Sequence, residues 1–259
     1  MIWTTRPRSD FGGLRAVREG VGPAVVLLHG VGLRAEAWNA QIDMLKGRFR
    51  VIAPDMPGHG ESPAFAHHGT LADYSNAIAR AADGPFCVVG HSMGAMIALD
   101  LAIRFPEKIR GVIALNAIFQ RSQAATAAVH QRAQTLSADS VPDPAGPLQR
   151  WFADTTTPPA QACRQWLQDV PPAGYKAAYS VFAHEDGPAP ESLATLPCPA
   201  LFVTGSEEPN STPAMSHAMA TLAPKGHAVI IEGAAHMMPM THPETLDPIL
   251  SQCLATWSP

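Results

Sequence analysis

The pentapeptide Gly90-His91-Ser92-Met93-Gly94 lies between an apolar run, Phe86 to Val89, and a helix-like stretch, Ala95 to Arg104. A Gly-x-Ser-x-Gly sequence in this position predicts a sharp turn from a buried strand into a helix. Such a turn strains the backbone of its central residue, and the flanking glycines keep side chains from colliding there. A chance occurrence of the pentapeptide is the alternative, and the strand and helix patterns around it argue against that. We therefore predict that the Ser92 hydroxyl is presented as a nucleophile.

The composition limits the class of protein. The chain has 259 residues, of which 46% are hydrophobic and 15% charged, enough for the core of one large α/β domain. Its formal net charge of −4 provides no basic surface for nucleic acid or an anionic membrane. The chain start has no secretory profile, no apolar stretch approaches a membrane span of about 20 residues, and the four cysteines have no metal-ligand spacing. We expect a cytoplasmic protein without a metal or cofactor, and the sequence leaves a homodimer open.

Short apolar runs of β-branched residues alternate with helix-like segments along much of the chain. This pattern is typical of an α/β fold with a mostly parallel sheet covered by helices on both faces. The predicted strands lie at residues 13–19, 24–28, 50–53, 86–89, 111–115, 200–204 and 228–231. The predicted helices lie at residues 35–45, 71–82, 95–104, 215–222 and 246–256, with Thr70 as the cap of the second.

The segment from Phe119 to Leu196 has a different residue pattern: runs of β-branched residues are absent, and proline-rich breaks separate pieces of the length of a helix. A structureless loop of this length is improbable inside a compact domain unless it forms a functional lid. We therefore predict a core made of residues 1–118 and 196–259, with a helical cap inserted at residues 119–195.

Two further segments are expected beside Ser92. His29-Gly30-Val31-Gly32 follows the strand 24–28, and its main-chain N–H groups can meet a developing oxyanion. We predict an oxyanion hole made of the N–H groups of Val31 and Met93; an ordinary tight turn is the alternative reading of this segment. Among eleven histidines, His236 alone follows a strand through a glycine turn, and we predict that it exchanges the proton of Ser92.

A carboxylate is expected to orient His236 and to stabilise its imidazolium form. The loop after strand 200–204 carries two candidates, Glu207 and Glu208. A carboxylate on this loop gives the chain order serine, acid, histidine. The residues themselves leave both candidates open.

These motifs together resemble the α/β-hydrolase superfamily, in the small capped group of bacterial esterases, enol-lactonases and cofactor-free haloperoxidases. The loop Asp55-Met56-Pro57-Gly58-His59-Gly60-Glu61-Ser62 adds to the likeness, and the resemblance implies that it shapes the rim beside the oxyanion turn. The family usually has an aspartate where this chain has Glu208, so the resemblance favours Glu208 over Glu207. Asn116, at another acid position of the family, carries no charge and is a poor candidate.

The resemblance implies a serine hydrolase that cleaves small carboxylic esters or lactones through an acyl-enzyme. Perhydrolysis, C–C bond hydrolysis and a non-catalytic ligand-binding protein on the same scaffold are the alternatives. We expect the substrate pocket to be lined by aromatic and methionine side chains, namely Trp38, Trp151, Phe152 and Met237. The cap arginines either anchor a substrate carboxylate or lie solvated on outer helix faces, and the sequence does not decide between these for Arg121, Arg132, Arg150 and Arg164.

Overall fold

A single eight-stranded sheet forms the centre of the computed structural model, which describes residues 3–141 and 143–258. The ends of the predicted core, residues 1–2 and 259, and position 142 of the predicted cap lie outside the described residues. The strand order is β1-β2-β4-β3-β5-β6-β7-β8. The strands are β1 (Ser9–Phe11), β2 (Leu14–Glu19), β3 (Ala24–Leu28), β4 (Arg50–Pro54), β5 (Phe86–His91), β6 (Ile109–Leu115), β7 (Ala200–Gly205) and β8 (Gly226–Ile231).

Only the first two strand pairings, β1 with β2 and β2 with β4, are antiparallel; all the others are parallel. The predicted α/β class with a mostly parallel sheet is therefore confirmed. All five residues of β3 are buried, as expected for a central strand covered on both faces. Because the strands from β3 to β8 run in one direction, their carboxyl ends share one edge of the sheet.

Eleven α-helices are present within the described residues. They are α1 (Asn39–Leu45), α2 (Leu71–Ala81), α3 (Met93–Arg104), α4 (Gln123–Thr135), α5 (Ala145–Trp151), α6 (Pro158–Asp169), α7 (Pro172–His184), α8 (Pro190–Ala194), α9 (Pro213–Leu222), α10 (Met238–Thr241) and α11 (Pro243–Trp257). The helix predicted from residue 35 begins as a 3₁₀ turn, Ala35–Trp38, before α1. Thr70 caps α2 through a capping box with Asp73, as predicted. None of the described helices has the length and apolar character needed to cross a bilayer.

Two apolar layers cover the two faces of the sheet. Alternate residues of β3 enter different layers: Val26 and Leu28 pack on the side of α2 and α3, whereas Val25 and Leu27 pack on the side of α1 and α11. This alternation follows from the period of two along a strand. Both faces are therefore occupied by core packing, and the carboxyl edge remains for a site.

Helices α4 to α8 lie between β6 and β7, in the segment for which the sequence predicts an inserted cap. The described part of this segment contains no strand. It has a third apolar cluster of its own, in which Leu148, Cys163 and Leu167 are buried together with Leu33 of the sheet domain. Apolar packing thus fixes α5, α6 and α7 over the loop that follows β3.

Candidate active site

Ser92 lies at the turn between β5 and α3 with φ of 58° and ψ of −119°, a left-handed conformation that is strained for a residue with a side chain. Its N–H donates to the carbonyl of Leu115 at 2.9 Å, which ties the turn to β6. A side chain at Gly90 would collide with the carbonyl of Gly94, and one at Gly94 would collide with the carbonyl of Leu28. The two glycines of the pentapeptide are therefore required by close backbone packing around the serine.

The turn after β3 lies directly beside Ser92. A Cβ atom at Gly30 would stand 3.1 Å from the Ser92 Cβ and 3.5 Å from its Oγ. Met93 is the first residue of α3, so its N–H has no partner within the helix. The Val31 N–H also makes no hydrogen bond within residues 3–141 and 143–258, and Val31 lines the cavity described below. Two main-chain donors are thus available, one on the residue after Gly30 and one on the residue after Ser92.

Two buried histidines hold this turn in place. Nε2 of His59 accepts the Gly32 N–H at 3.0 Å, and Nε2 of His29 accepts the Met56 N–H at 2.9 Å. Nδ1 of His29 contacts the carbonyl of Gly30 at 2.8 Å. Burial lowers the pKa of both imidazoles, that of His59 to about 3, so both are neutral and able to accept these N–H groups. Both histidines belong to the motifs of the sequence, but the patterns did not reveal what they bind.

Asp55 organises the loop that faces the oxyanion turn. Its buried carboxylate pairs with Arg8 at 2.8 Å and accepts the N–H groups of Ala35 at 2.9 Å and Glu61 at 3.0 Å. The Ser62 hydroxyl donates to the main-chain carbonyl of Asp55 at 2.6 Å. These bonds fix the loop internally, through Glu61 and Ser62, and tie it to Ala35, which follows the oxyanion turn. The loop therefore stabilises the turn beside Ser92.

His236 and Glu208 form a hydrogen-bonded pair. Nδ1 of His236 lies 2.6 Å from Oε2 of Glu208, whose side chain is fully buried. The other oxygen, Oε1, accepts the N–H of Asn210 at 2.8 Å and that of Ser211 at 3.4 Å. Burial alone would raise the pKa of Glu208, but His236 and these N–H groups lower it below its ordinary value. Glu208 is therefore an ionised acceptor for the imidazole, whereas Glu207 is exposed.

The main chain of His236 is fixed by two donors from the sheet. Its carbonyl oxygen lies 2.7 Å from Nε2 of His91 and accepts the Nδ2 amide of Asn116 at 2.8 Å. Burial, followed by the neighbouring His236, lowers the pKa of His91 to about 3. Asn116, a poor acid candidate in the sequence, therefore serves to position the histidine loop.

Val31, Ser92, Asn116 and His236 border one cavity of about 320 Å³ between the sheet edge and the cap. Its wall contains Gly30, Val31, Leu33, Ser92, Asn116, Ile118, Arg121, Ala125, Ala128, Val129, Arg132, Pro147, Arg150, Trp151, Tyr175, Tyr179, Phe182, Pro209, Asn210, Ser211 and His236. The wall is formed from both the sheet domain and the cap helices α4, α5 and α7. A volume of this size suits a small organic substrate.

The same architecture is found in known hydrolases. The model of the family described as "Alpha/beta hydrolase family" matches residues 25–247. The chain belongs to this family. It is 37% identical over 244 residues to an (E)-2-((N-methylformamido)methylene)succinate hydrolase of Acinetobacter baylyi, with 92% of each chain covered.

Two further relatives of this α/β-hydrolase are esterases. A pimeloyl-[acyl-carrier protein] methyl ester esterase of Aromatoleum aromaticum is 28% identical over 239 residues, which are 86% of this chain and 94% of that one. A thermophilic esterase from Thermogutta terrifontis, solved with malate bound, superposes with a TM-score of 0.84 at 25% identity, covering 98% of this chain and 100% of that one.

Of the four predicted substrate-binding residues of this hydrolase, Trp151 lines the cavity, but Trp38, Phe152 and Met237 do not. Trp38 is buried in the apolar layer on the α1 side of the sheet, and its ring meets that of His91 edge-on. Phe152 and Met237 are buried in the cluster between the cap and the sheet domain. Their apolar side chains complete the core, which a sequence pattern does not distinguish from a pocket wall.

Three of the four cap arginines line the cavity of this hydrolase, which the sequence left undecided. Arg121 is satisfied locally, since it donates to the carbonyls of Phe182 and Glu185 and its guanidinium lies over the Phe182 ring. Arg132 lies over the Tyr179 ring, and its Nε is buried with no hydrogen-bond partner among the described residues.

Arg150 also lines the cavity and is exposed to solvent. Partial burial, followed by the charge of Arg132, lowers its pKa. In the described part of the chain, neither Arg132 nor Arg150 has a carboxylate within 4.0 Å. Two neighbouring positive charges without a counter-charge favour an anionic ligand.

Proposed function

We propose that this hydrolase cleaves an acyl bond of a small substrate through an acyl-enzyme on Ser92, with His236 and Glu208 completing a catalytic triad. The observation that carries the proposal is the opening of the Ser92 turn and of His236 onto one cavity. The 2.6 Å contact between His236 and Glu208 supports the assignment of the acid. The N–H groups of Val31 and Met93, for which the described part of the chain offers no hydrogen-bond acceptor, support the assignment of the oxyanion hole.

In the proposed reaction, Ser92 Oγ attacks the substrate carbonyl carbon while Nε2 of His236 takes the hydroxyl proton. The carbonyl oxygen becomes an oxyanion, which accepts the N–H groups of Val31 and Met93. Collapse of the tetrahedral intermediate breaks the acyl bond, and His236 returns the proton to the leaving group. Water then attacks the acyl-enzyme with His236 as its base, which releases the acid and restores Ser92.

We further propose that the substrate is an ester, lactone or amide that carries carboxylate groups. Arg132 and Arg150 support this, because an anion in the cavity would supply the counter-charge that they lack. The relative from Acinetobacter baylyi hydrolyses a derivative of succinate, and the esterase from Thermogutta terrifontis binds malate; both small molecules are dicarboxylates. An (amidomethylene)succinate is therefore the first substrate to test, and a dicarboxylate monoester is the second.

Labelling with a fluorophosphonate probe tests the chemistry independently of the substrate. We expect the wild-type protein to be labelled, and we expect Ser92→Ala to abolish labelling while the variant keeps the wild-type circular dichroism spectrum. Absence of labelling in the wild type would contradict the proposal and favour a ligand-binding protein on this scaffold.

The substrate class is tested by comparing matched charged and neutral compounds. We expect (E)-2-((N-methylformamido)methylene)succinate, or the monoester of a dicarboxylate, to be hydrolysed with a higher kcat/KM than its fully esterified neutral counterpart. Hydrolysis of the neutral compound alone would be compatible with the proposed triad but would contradict the proposal that the substrate is an anion. Lactones, a C–C-linked diketone and peracid formation from acetate belong in the same assay, since each uses the same three groups.

A further inference from the structure

A side chain of the cap covers one face of the His236 ring. The indole of Trp151, the last residue of α5, stacks on the imidazole with ring centroids 5.6 Å apart and planes inclined by 22°. His91 lies against the same ring with centroids 4.8 Å apart and planes inclined by 53°. Only 12% of the His236 side chain is exposed. The imidazole therefore contacts both an indole from the cap and an imidazole from the sheet.

The proposed reaction gives His236 a positive charge each time that it takes a proton. An indole face attracts a cation that lies within about 6 Å of the ring centroid, and exclusion of water strengthens the attraction. We propose that Trp151 is a positioning residue that stabilises the imidazolium form of His236 and thereby couples the position of the cap to proton transfer. The inference rests on the proposed function, because it requires His236 to act as the base.

The other groups around His236 show why such support matters. Glu208 is an anion, but it reaches only the Nδ1 edge of the ring. His91 is neutral, so it carries no positive charge that would repel the imidazolium. On the cap side, Arg132 and Arg150 line the same cavity, and their two positive charges disfavour a further one there.

The remaining charged group of the cavity wall is Arg121, which lies 3.5 Å from Asp186 and has that carboxylate as its counter-charge. Among the described residues of the cap that line the cavity, Trp151 is thus the one whose ring lies against His236, and its face favours the imidazolium before an anionic substrate enters.

The proposal can be separated from a purely steric role of Trp151. If the indole only shields His236 from water, its removal hydrates the imidazolium and moves the acid limb of the pH–rate profile to higher pH. If the indole face stabilises the cation, its removal disfavours the imidazolium and moves the acid limb to lower pH. The two roles therefore predict shifts in opposite directions.

The test measures the second-order rate of Ser92 labelling by a fluorophosphonate as a function of pH, so that no natural substrate is needed. Labelling forms the Ser92 Oγ–P bond, breaks the P–F bond and transfers the hydroxyl proton to His236. For Trp151→Leu we expect the acid limb to move down by about 0.4 to 1.5 pH units and the plateau rate to fall about twofold to thirtyfold. For Trp151→Phe, which keeps an aromatic face, we expect a smaller change of both quantities.

Phe65→Leu is the matched control, since the Phe65 ring also stacks on an imidazole, that of His67, but Phe65 is not part of the cavity wall. We expect its acid limb to coincide with that of the wild type. An unmoved or raised acid limb in Trp151→Leu, with normal labelling of the wild type, would overturn this inference alone. Absence of labelling in the wild type would instead overturn the proposed function.

Discussion

Glu207 and Glu208 are consecutive residues with opposite environments: Glu208 is buried against the His236 ring, whereas Glu207 is exposed. The difference arises because the Glu207 N–H donates to the carbonyl of Ala234 at 3.0 Å, and the Glu208 N–H to that of Gly205 at 3.2 Å. These bonds curl the loop after β7 so that only the second carboxylate turns inward. The extra methylene of a glutamate is thus accommodated by the loop.

We predict that Glu208→Gln lowers kcat by about 10⁴-fold, the loss typical of a triad acid replaced by its amide. The amide preserves the size of the side chain but no longer stabilises the imidazolium. Glu207→Gln is the matched control and should retain wild-type turnover. Steady-state kinetics of the two variants check the assignment, and a collapse in Glu207→Gln alone would reverse it.

The buried imidazoles predict that the protein loses stability in mild acid. An unfolded histidine has a pKa near 6.5, whereas burial lowers the pKa of His59 to about 3 in the folded protein. The unfolded state therefore takes up a proton first, and stability is lost as the pH falls from about 6.5 toward 3. From pH 7 to pH 5 the expected loss for this one residue is about 2 kcal/mol.

Urea unfolding of His59→Gln and of His68→Gln, at an exposed position, tests whether the buried imidazole causes the loss of stability in acid. Glutamine does not titrate, so the first variant should lose less free energy of unfolding between the two pH values than the wild type does. His68→Gln should keep the wild-type pH dependence. Equal slopes for all three proteins would show that the buried imidazole is not the source.

Arg132 and Arg150, which have no carboxylate partner among the described residues, predict that their replacement weakens the binding of charged substrates selectively. A hydrogen bond to a charged group contributes about 1.5 to 3 kcal/mol, so Arg132→Gln or Arg150→Gln should raise KM for a dicarboxylate substrate by about tenfold to a hundredfold. The neutral diester of the same substrate should be affected little. Arg164→Gln, on a cap helix but outside the cavity wall, is the control and should leave both KM values unchanged. An equal loss for charged and neutral compounds would point to a packing defect.

The sequence was sufficient to locate the groups that depend on local turn chemistry. Consecutive residues specify both the strand-turn-helix pattern around Ser92 and the glycine turn before His236. In the structure, Ser92 and His236 line one cavity. The choice between Glu207 and Glu208 depends on how one loop curls. The curl depends in part on the carbonyl of Ala234, which accepts the Glu207 N–H from a distant segment of the chain.

The residues of the cavity wall were much harder to predict from the sequence, because their identity depends on how the cap helices pack. Trp38, Phe152 and Met237 have the composition expected of a pocket but are buried in the core, whereas arginines line the cavity. The three-residue strand Ser9–Phe11 is too short to produce a pattern.

Gly30 provides a test of how closely the oxyanion turn must approach the nucleophile. A Cβ atom there would be 3.1 Å from the Cβ of Ser92, a distance at which one of the two segments has to shift. Because positioning errors on this scale are costly to catalysis, we predict that Gly30→Ala lowers kcat by about tenfold to a hundredfold. Thermal unfolding should change little, since the contact is with a side chain at the cavity and not with the packed core.

Gly47→Ala is the matched control, because a Cβ atom at Gly47 meets no atom within 4 Å. We expect it to retain both activity and melting temperature. Parallel kinetics and melting curves separate the possible causes in Gly30→Ala: a fall in kcat at constant melting temperature supports displacement of the turn. Wild-type activity in Gly30→Ala would instead mean that the turn can move away without loss, and the N–H group of Val31 would then have no part in holding the oxyanion.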